Sequence, residues 1–526
     1  MAGFGNYLRF ILRRERVISA VWIVSIVLFS YAIAVYYPSL FPSEAEVASM
    51  TEMLKNPAMV GMMGPVYGGD LPSVAMLFSQ EMSIWVMLTI AVMNIFFVNR
   101  HTRADEELGR LEMFRALPVG RLTDASATLF GAVALNVVIA VFTALLLAVS
   151  GMSGADFAGS LAYSSAVFGV GLFFAAITLL FAQLFGTSRG VTGAAFAVLG
   201  LAYMLRAVGD IHGDALAFIS PLGLGLRVFA FYENNFWCVA VLIAESVAVA
   251  VAAFAVLAVR DHGTGIIPAK KGRANASRFL RSPLGLAWRL TKNSALIWCG
   301  VVFIVGAMYG SMFGDIENFV QNNEYYQHII TGGADVQGSM LNSFAAFLFV
   351  IMALIAVIPI ISTANKIHAE EKRGRLEPAL VQSVSRAKMY GAYIIIGAAE
   401  SVALQICAAL GVYSPSRGLV DLGDMLTAAL AYIPAMLVMM SIVIFLVGAM
   451  PKMIAFVWVV FGYAAFSSIF SRIFDLPDWM AKLSPFGNVP QLPVAEFDAV
   501  PLVALTIIAI LLTAVGVWRF NERDLV

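Results

Sequence analysis

The sequence predicts an all-α polytopic membrane protein in which twelve transmembrane helices form two parallel repeats of six. Three observations lead there: an apolar composition, twelve hydrophobic runs of spanning length, and a charged motif that recurs after almost half the chain. Hydrophobic residues make up 60% of the chain and charged residues 13%, with a mean hydropathy of +0.86. A soluble domain averages about 45–50% apolar and about 25% charged residues, so the medium expected for this chain is a lipid bilayer. Basic and acidic residues balance at 33 each. That leaves no basic footprint for nucleic acid.

A spanning helix needs roughly 20 mostly apolar residues. Such runs lie at 17–38, 80–99, 124–150, 160–186, 190–209 and 236–259, and again at 294–313, 341–364, 389–413, 424–449, 453–472 and 500–519. An even number per half returns the chain to the side it started from, so the halves are parallel repeats about an axis along the membrane normal. Of the 33 lysines and arginines, 27 fall in the two tails, the 260–292 linker and the loops after even-numbered runs within each half. The positive-inside tendency makes that side cytoplasmic and puts both termini there, in a plasma membrane. The first run is too long for a signal-peptide core and no small-residue cleavage site follows it, so it reads as a retained span. Tyr7 to Arg16 and Phe279 to Lys292 mix apolar and basic residues in the manner of interfacial helices. The long segments 37–80 and 314–339 fall outside the cell and have room for short helices.

The motif reads Asp105-Glu106-Glu107-Leu108-Gly109-Arg110-Leu111-Glu112 and, 265 residues later, Glu370-Glu371-Lys372-Arg373-Gly374-Arg375-Leu376-Glu377. Two further echoes keep nearly that spacing: Ser220-Pro221-Leu222-Gly223 with Ser484-Pro485-Phe486-Gly487, and Arg260-Asp261 with Arg523-Asp524. The chain is therefore read as a duplication, with repeats at 1–262 and 294–526 joined by a cytoplasmic linker and interfacial helix at 263–293. Each motif lies in the loop after the second run of its half, 100–123 and 365–388. The acids suit the positive end of a helix dipole, and Leu108, Leu111, Phe114 and Leu117 form an apolar stripe, so a single amphipathic helix ending at Pro118 is expected, with Arg121 anchoring the next run. The second copy runs through Leu376 and Leu380 to Arg386. The positive-inside tendency asks nothing of glutamate, so Glu112 and Glu377 beside Gly-Arg-Leu point to a surface that a partner reads.

An acidic pair, a Gly-x-Leu-Glu core, an apolar run and Val-x-Arg in the first cytoplasmic loop of a six-span unit resemble the coupling helix of permeases in the type 2 ATP-binding-cassette export family. Many members carry threonine where Arg110 and Arg375 stand. The fused twelve-span form is similar to the branch of polyketide-antibiotic or tetronasin-type exporters. The second copy departs from the pattern, with Pro378 after Glu377 and Ser383 in place of a proline. The resemblance implies a pseudo-dimer of two permease protomers moving a hydrophobic or amphipathic compound, an antibiotic or drug, out of the cell. It also implies a separate cytoplasmic ATPase in two copies per chain. That partner would dock on Asp105, Glu106, Gly109, Arg110, Leu111 and Glu112, and on Glu370, Glu371, Gly374, Arg375, Leu376 and Glu377. ATP and magnesium belong to the partner, because the chain has no Gly-x-x-x-x-Gly-Lys-Ser/Thr phosphate loop. It is read as a transport subunit, with no cofactor of its own and no catalytic residue.

Polar residues at bilayer depth are costly and usually face protein or water. Asn136, Glu400 and Ser401 are the candidates for lining a pathway, a helix-packing hydrogen bond being the competing role for Glu400. Arg206 with Asp210 and Arg472 with Asp475 are helically spaced ion pairs expected to brace the Ser-Pro-x-Gly turns. Glu245 shares a local string with Glu400, but at a spacing that does not fit the repeat. The five histidines show no ligand spacing, and the three cysteines lie in apolar runs as small hydrophobes, so no metal site is expected. The alternative is a secondary transporter of the major-facilitator type, driven by an ion gradient. Against it, each Gly-Arg is followed by Leu-Glu rather than by a second basic residue. A membrane-embedded enzyme would need clustered His, Asp or Glu at one membrane face, and the sequence has no such cluster.

Overall fold

The computed structural model describes residues 3–115, 119–213, 215–261, 263–267, 275–314, 340–381, 384–416, 418–470 and 477–523. Among them the protein is helical throughout, apart from one isolated bridge between Phe185 and Ile267. The chain divides into two compact units, Met1–Lys271 and Gly272–Val526. Among the described residues eleven helices are long and apolar enough to cross a membrane, six in the first unit and five in the second. This is a multi-pass membrane protein.

Where 453–472 is expected to span, a 3-10 turn at Pro451–Met453 precedes the apolar helix Phe456–Phe470, and residues 471–476 lie outside the described residues. The run 424–449 is one span-length segment, Leu422–Ala449, with a break between Leu422–Leu430 and Ile433–Ala449. Pro434 lies in the first turn of the second piece, where its missing N–H is tolerated.

The two interfacial helices are not separate elements. Phe4–Leu40 is one helix of 37 residues, roughly 55 Å long, so its first turns project beyond the apolar core. Nothing between Arg16 and Val17 breaks it, and Tyr7 and Ile11 are buried against the unit. In the second unit a 3-10 turn at Arg278–Arg281 leads directly into the helix Pro283–Gly310. Ser282 caps that helix by accepting from the Gly285 N–H, and Pro283 opens it.

Two short helices follow the first long one, as expected. Glu44–Leu54 begins with a capping box in which Ser43 and Glu46 exchange side-chain and backbone hydrogen bonds; Pro57–Met63 is capped by Asn56. Residues 315–339 of the corresponding segment lie outside the described residues. Arg206 is fully buried and donates to the carbonyls of Val60, Gly61 and Met62 at 3.3, 2.8 and 3.1 Å, closing the end of that second short helix. It lies 3.5 Å from Asp210, whose shorter bond, 2.8 Å, comes from Arg227. Ser220 ties the adjoining turn by donating to the Ala202 carbonyl at 2.7 Å. Arg472 and Asp475 lie outside the described residues.

In the second unit Ile433–Ala449 packs against Ala499–Glu522 through a backbone approach at Gly448 and Gly516. A Cβ at Gly448 would collide with the Gly516 carbonyl, and one at Gly516 would sit 2.7 Å from the Ile444 carbonyl. Small residues at a crossing are how helices pack closely when lipid supplies no hydrophobic drive.

Candidate functional site

The charged motif of the first unit begins where the helix Val74–His101 runs on, after a break at Thr102, into Arg103–Glu107. It continues, beyond Gly109, as Arg110–Arg115. The expected single amphipathic helix is therefore two short pieces. Gly109 is the reason: its φ is +70°, a left-handed conformation that costs other residues roughly 1–2 kcal/mol. The stripe separates with it, because Leu111 is buried while Leu108 is exposed. Phe114 then packs against Tyr7 and Phe10 of the first helix, with ring centroids 5.1 and 4.8 Å away.

Glu106 is held from three sides. Arg260 Nη2 donates to both of its oxygens at 3.0 and 2.9 Å, Arg103 Nη1 at 3.1 Å, and the Gly263 N–H at 2.7 Å. Arg260 stands just past the end of the helix Phe236–Val259, and its own carbonyl accepts from Arg121 Nη2 at 2.5 Å. Arg103 also donates to the carbonyls of Gly186, Gly263 and Thr264. Asp105 accepts from Arg14 at 2.6 Å and from Arg110 at 3.1 Å, and Glu107 accepts the Ser188 N–H at 2.9 Å. Arg103, Arg260 and Asp105 are buried, while Glu112 is exposed. The cluster fastens the end of the second long helix, the start of the third and the end of the sixth into one block.

The second unit repeats the main contacts of this arrangement. Arg523, past the end of Ala499–Glu522, donates to Glu371 at 2.5 Å, and Arg386 Nη1 donates to the Arg523 carbonyl at 2.5 Å. His368 stands where Arg103 does in the first unit, its Nδ1 3.4 Å from Glu371. Glu370 lies 3.7 Å from Arg375, as Asp105 does beside Arg110. Gly374 has φ +64°, Leu376 is buried, and Glu377 is exposed. A further difference is at the end: the following helix, with Pro378 in its first turn, is only Glu377–Leu380.

Each letter of the motif thus has a physical task in both units. The first acid holds the motif's arginine, the second acid holds the arginine past the sixth run, glycine makes the left-handed turn, leucine is the buried plug, and the last glutamate faces outward. The sequence reading registered Arg260 and Arg523 only as an echo. Their spacing from Glu106 and Glu371, 154 and 152 residues, carries no local signal.

Of the intramembrane candidates, Asn136 lies in the first unit and Glu400 and Ser401 in the second. Asn136 is fully buried and exchanges hydrogen bonds with Asn94 at 2.8 and 3.1 Å. Ser401 donates to the Ala398 carbonyl one turn back at 2.7 Å. Glu400, on Arg386–Tyr413, accepts from Thr363 at 2.7 Å and is 5% exposed. Glu81, at the edge of an expected run, is also buried, an acid inside a long helix that the sequence reading passed over. Among the described residues no group of three His, Cys, Asp or Glu is placed to hold a metal.

Comparison with known proteins adds the family. A family model described as the C-terminal domain of the multidrug efflux system permease Rv1217c matches residues 280–521. The multidrug efflux system permease protein Rv1217c of Mycobacterium tuberculosis (strain ATCC 25618 / H37Rv) is 30% identical over 538 residues, covering 98% of this chain and 94% of that protein. The chain belongs to this family of efflux permeases. The family model takes in the second motif, Arg386 and Glu400, and stops two residues before Arg523; the whole-length relative extends the kinship over both units of the permease.

Proposed function

We propose that this permease is the membrane subunit of an ATP-driven exporter that moves hydrophobic or amphipathic compounds, drugs and antibiotics among them, out of the cell. Its two units act as a pseudo-dimer of six-span halves, 1–262 and 294–526, joined through 263–293, with both termini in the cytoplasm of the cell membrane. A separate ATP-binding-cassette ATPase, two copies per chain, docks on the loops 100–123 and 365–388. ATP and magnesium are bound by that partner. Within the motifs, Asp105, Glu106, Glu370 and Glu371 set the shape of the docking elements from inside. Glu112 and Glu377, with the exposed Arg110 and Arg375, meet the partner. Asn136, Glu400 and Ser401 remain the candidates for the pathway, and Arg472 with Asp475 for the second brace.

The observation that carries this reading is the duplicated latch from Glu106 to Arg260 and from Glu371 to Arg523. A loop that only connects two spans has no use for a buried ion pair to a third helix. A loop that must pass a push from a soluble partner to the helices does. The test is the energy source. Inside-out vesicles containing the permease and a co-expressed ATPase should accumulate drug on addition of ATP, with a protonophore present. Accumulation that needs an ion gradient and ignores ATP would refute the reading and favour a secondary carrier.

A further inference from the structure

Between the helices Pro283–Gly310 and Arg386–Tyr413 of the second unit lies a groove of about 420 Å³ whose walls include Trp288, Leu296, Cys299, Ile396 and Ala403. Its lining is apolar with one exception, Glu400. Thr363 satisfies Oε2 of that carboxylate, while Oε1 is buried and has no hydrogen-bond partner among the described residues. Among the same residues no lysine, arginine or histidine lies within ion-pair distance of it. A lone carboxylate at bilayer depth is costly and marks a functional position by default. A helix-packing role for Glu400 would need only the bond to Thr363 and does not account for a carboxylate in the wall of an apolar groove with its second oxygen unpartnered among the described residues. Phe279 and Trp288, both half-exposed, also line the groove, and aromatic rings attract cations. Leu296 and Ile395 are exposed beside it, so the groove is reached from an apolar surface.

We infer that this groove binds lipophilic monovalent cations, with Glu400 as the counter-charge and the apolar walls holding the hydrocarbon body. An apolar pocket with one placed polar group is the usual form of a small-molecule site. A neutral lipid tail would gain nothing from the carboxylate, and an anion would be repelled by it. The inference rests on the export reading for its purpose, since it names the class of cargo. Its test does not depend on that reading.

The experiment uses the full chain, purified and placed in phosphatidylcholine nanodiscs without ATP or any ATPase, and tetraphenylphosphonium as the probe, followed by equilibrium binding. The intact chain should bind the probe, Glu400→Gln should weaken binding by about tenfold or more, and Glu400→Asp should retain part of it. Tetraphenylborate, of similar size and opposite charge, should not compete. Ala403→Trp, which fills the groove and leaves the carboxylate, should also abolish binding, and it decides the matter if Glu400→Gln does not yield folded protein. Binding that survives both substitutions, or that tetraphenylborate displaces equally well, overturns the inference. Either result leaves the ATP-dependence of export to its own measurement, so the failure of one is told apart from the failure of the other.

Discussion

Replacing Arg260 with methionine removes both hydrogen bonds that its guanidinium makes to Glu106 and leaves that carboxylate inside the first unit with only Arg103 and the Gly263 N–H. The side chains of Arg260 and Glu106 are 3% and 10% exposed, so water does little to compensate. Breaking a buried pair by removing one partner costs about 3–5 kcal/mol; because Arg103 remains 3.1 Å away, the lower end, about 3 kcal/mol, is expected. In a unit of this size a loss of that order lowers the melting midpoint by on the order of 10 °C. The assay is the fraction of monodisperse protein recovered by size exclusion after stepwise heating in detergent. Lys55→Met is the control, since its partners Glu52 and Asp70 are 69% and 90% exposed and such pairs contribute at most about 1 kcal/mol. Adding Glu106→Gln to Arg260→Met should recover part of the loss, because it removes the stranded charge. If Arg260→Met melts with Lys55→Met, or if the two changes at the latch simply add, the latch does not hold the unit together as argued.

Three further outcomes follow from other contacts. Glu112→Lys combined with Glu377→Lys should leave the melting midpoint unchanged, because both residues are exposed, and should reduce ATP-dependent drug accumulation at least about tenfold by repelling the surface these glutamates meet; undiminished accumulation would remove them from the interface. Asn136→Leu strands the Asn94 amide that it now pairs, a loss of about 1–2 kcal/mol on membrane scales, visible as a lower midpoint that Asn94→Leu partly restores. Gly448→Val drives a side chain into the Gly516 carbonyl and should cost about 3 kcal/mol or more, seen as loss of monodisperse protein. Gly462→Val, which meets nothing within 4 Å, should not.

Much of the fold was legible because hydrophobicity over 20 residues is a strong local signal. Among the described residues eleven of the twelve expected runs are long apolar helices and the other, 453–472, runs on past them, and the repeat of the charged motif located the cluster in both units. The interfacial helices were misread because composition distinguishes a basic flank from a span but says nothing about whether the helix stops between them. At Arg16 it does not, and at Ser282 the cap starts a helix that already contains the span. The amphipathic stripe was misread because periodicity counts positions and ignores a glycine's φ. Gly109 turns the chain and sends Leu108 and Leu111 to opposite environments. The latch itself was out of reach: Arg260 and Glu106 meet only when six helices have folded, and a spacing of 154 residues has no physical meaning until they do. Glu400 was recognised as costly, but the groove beside it arises from two helices about a hundred residues apart.

The two latches also differ in how firmly they hold. In the first unit Arg103 adds four hydrogen bonds, one to Glu106 and three to backbone carbonyls, from a side chain that is 2% exposed. In the second unit His368 occupies that place with a single contact of 3.4 Å, and the motif helix that follows is one turn long. An arginine fork fixes a carboxylate in two directions, whereas an imidazole offers at most one donor to it. Among the described contacts, therefore, Glu106 has beside it a forked arginine that also holds three backbone carbonyls, whereas Glu371 has an imidazole, and the chemical origin of that difference is one side chain, Arg103 in the first unit and His368 in the second.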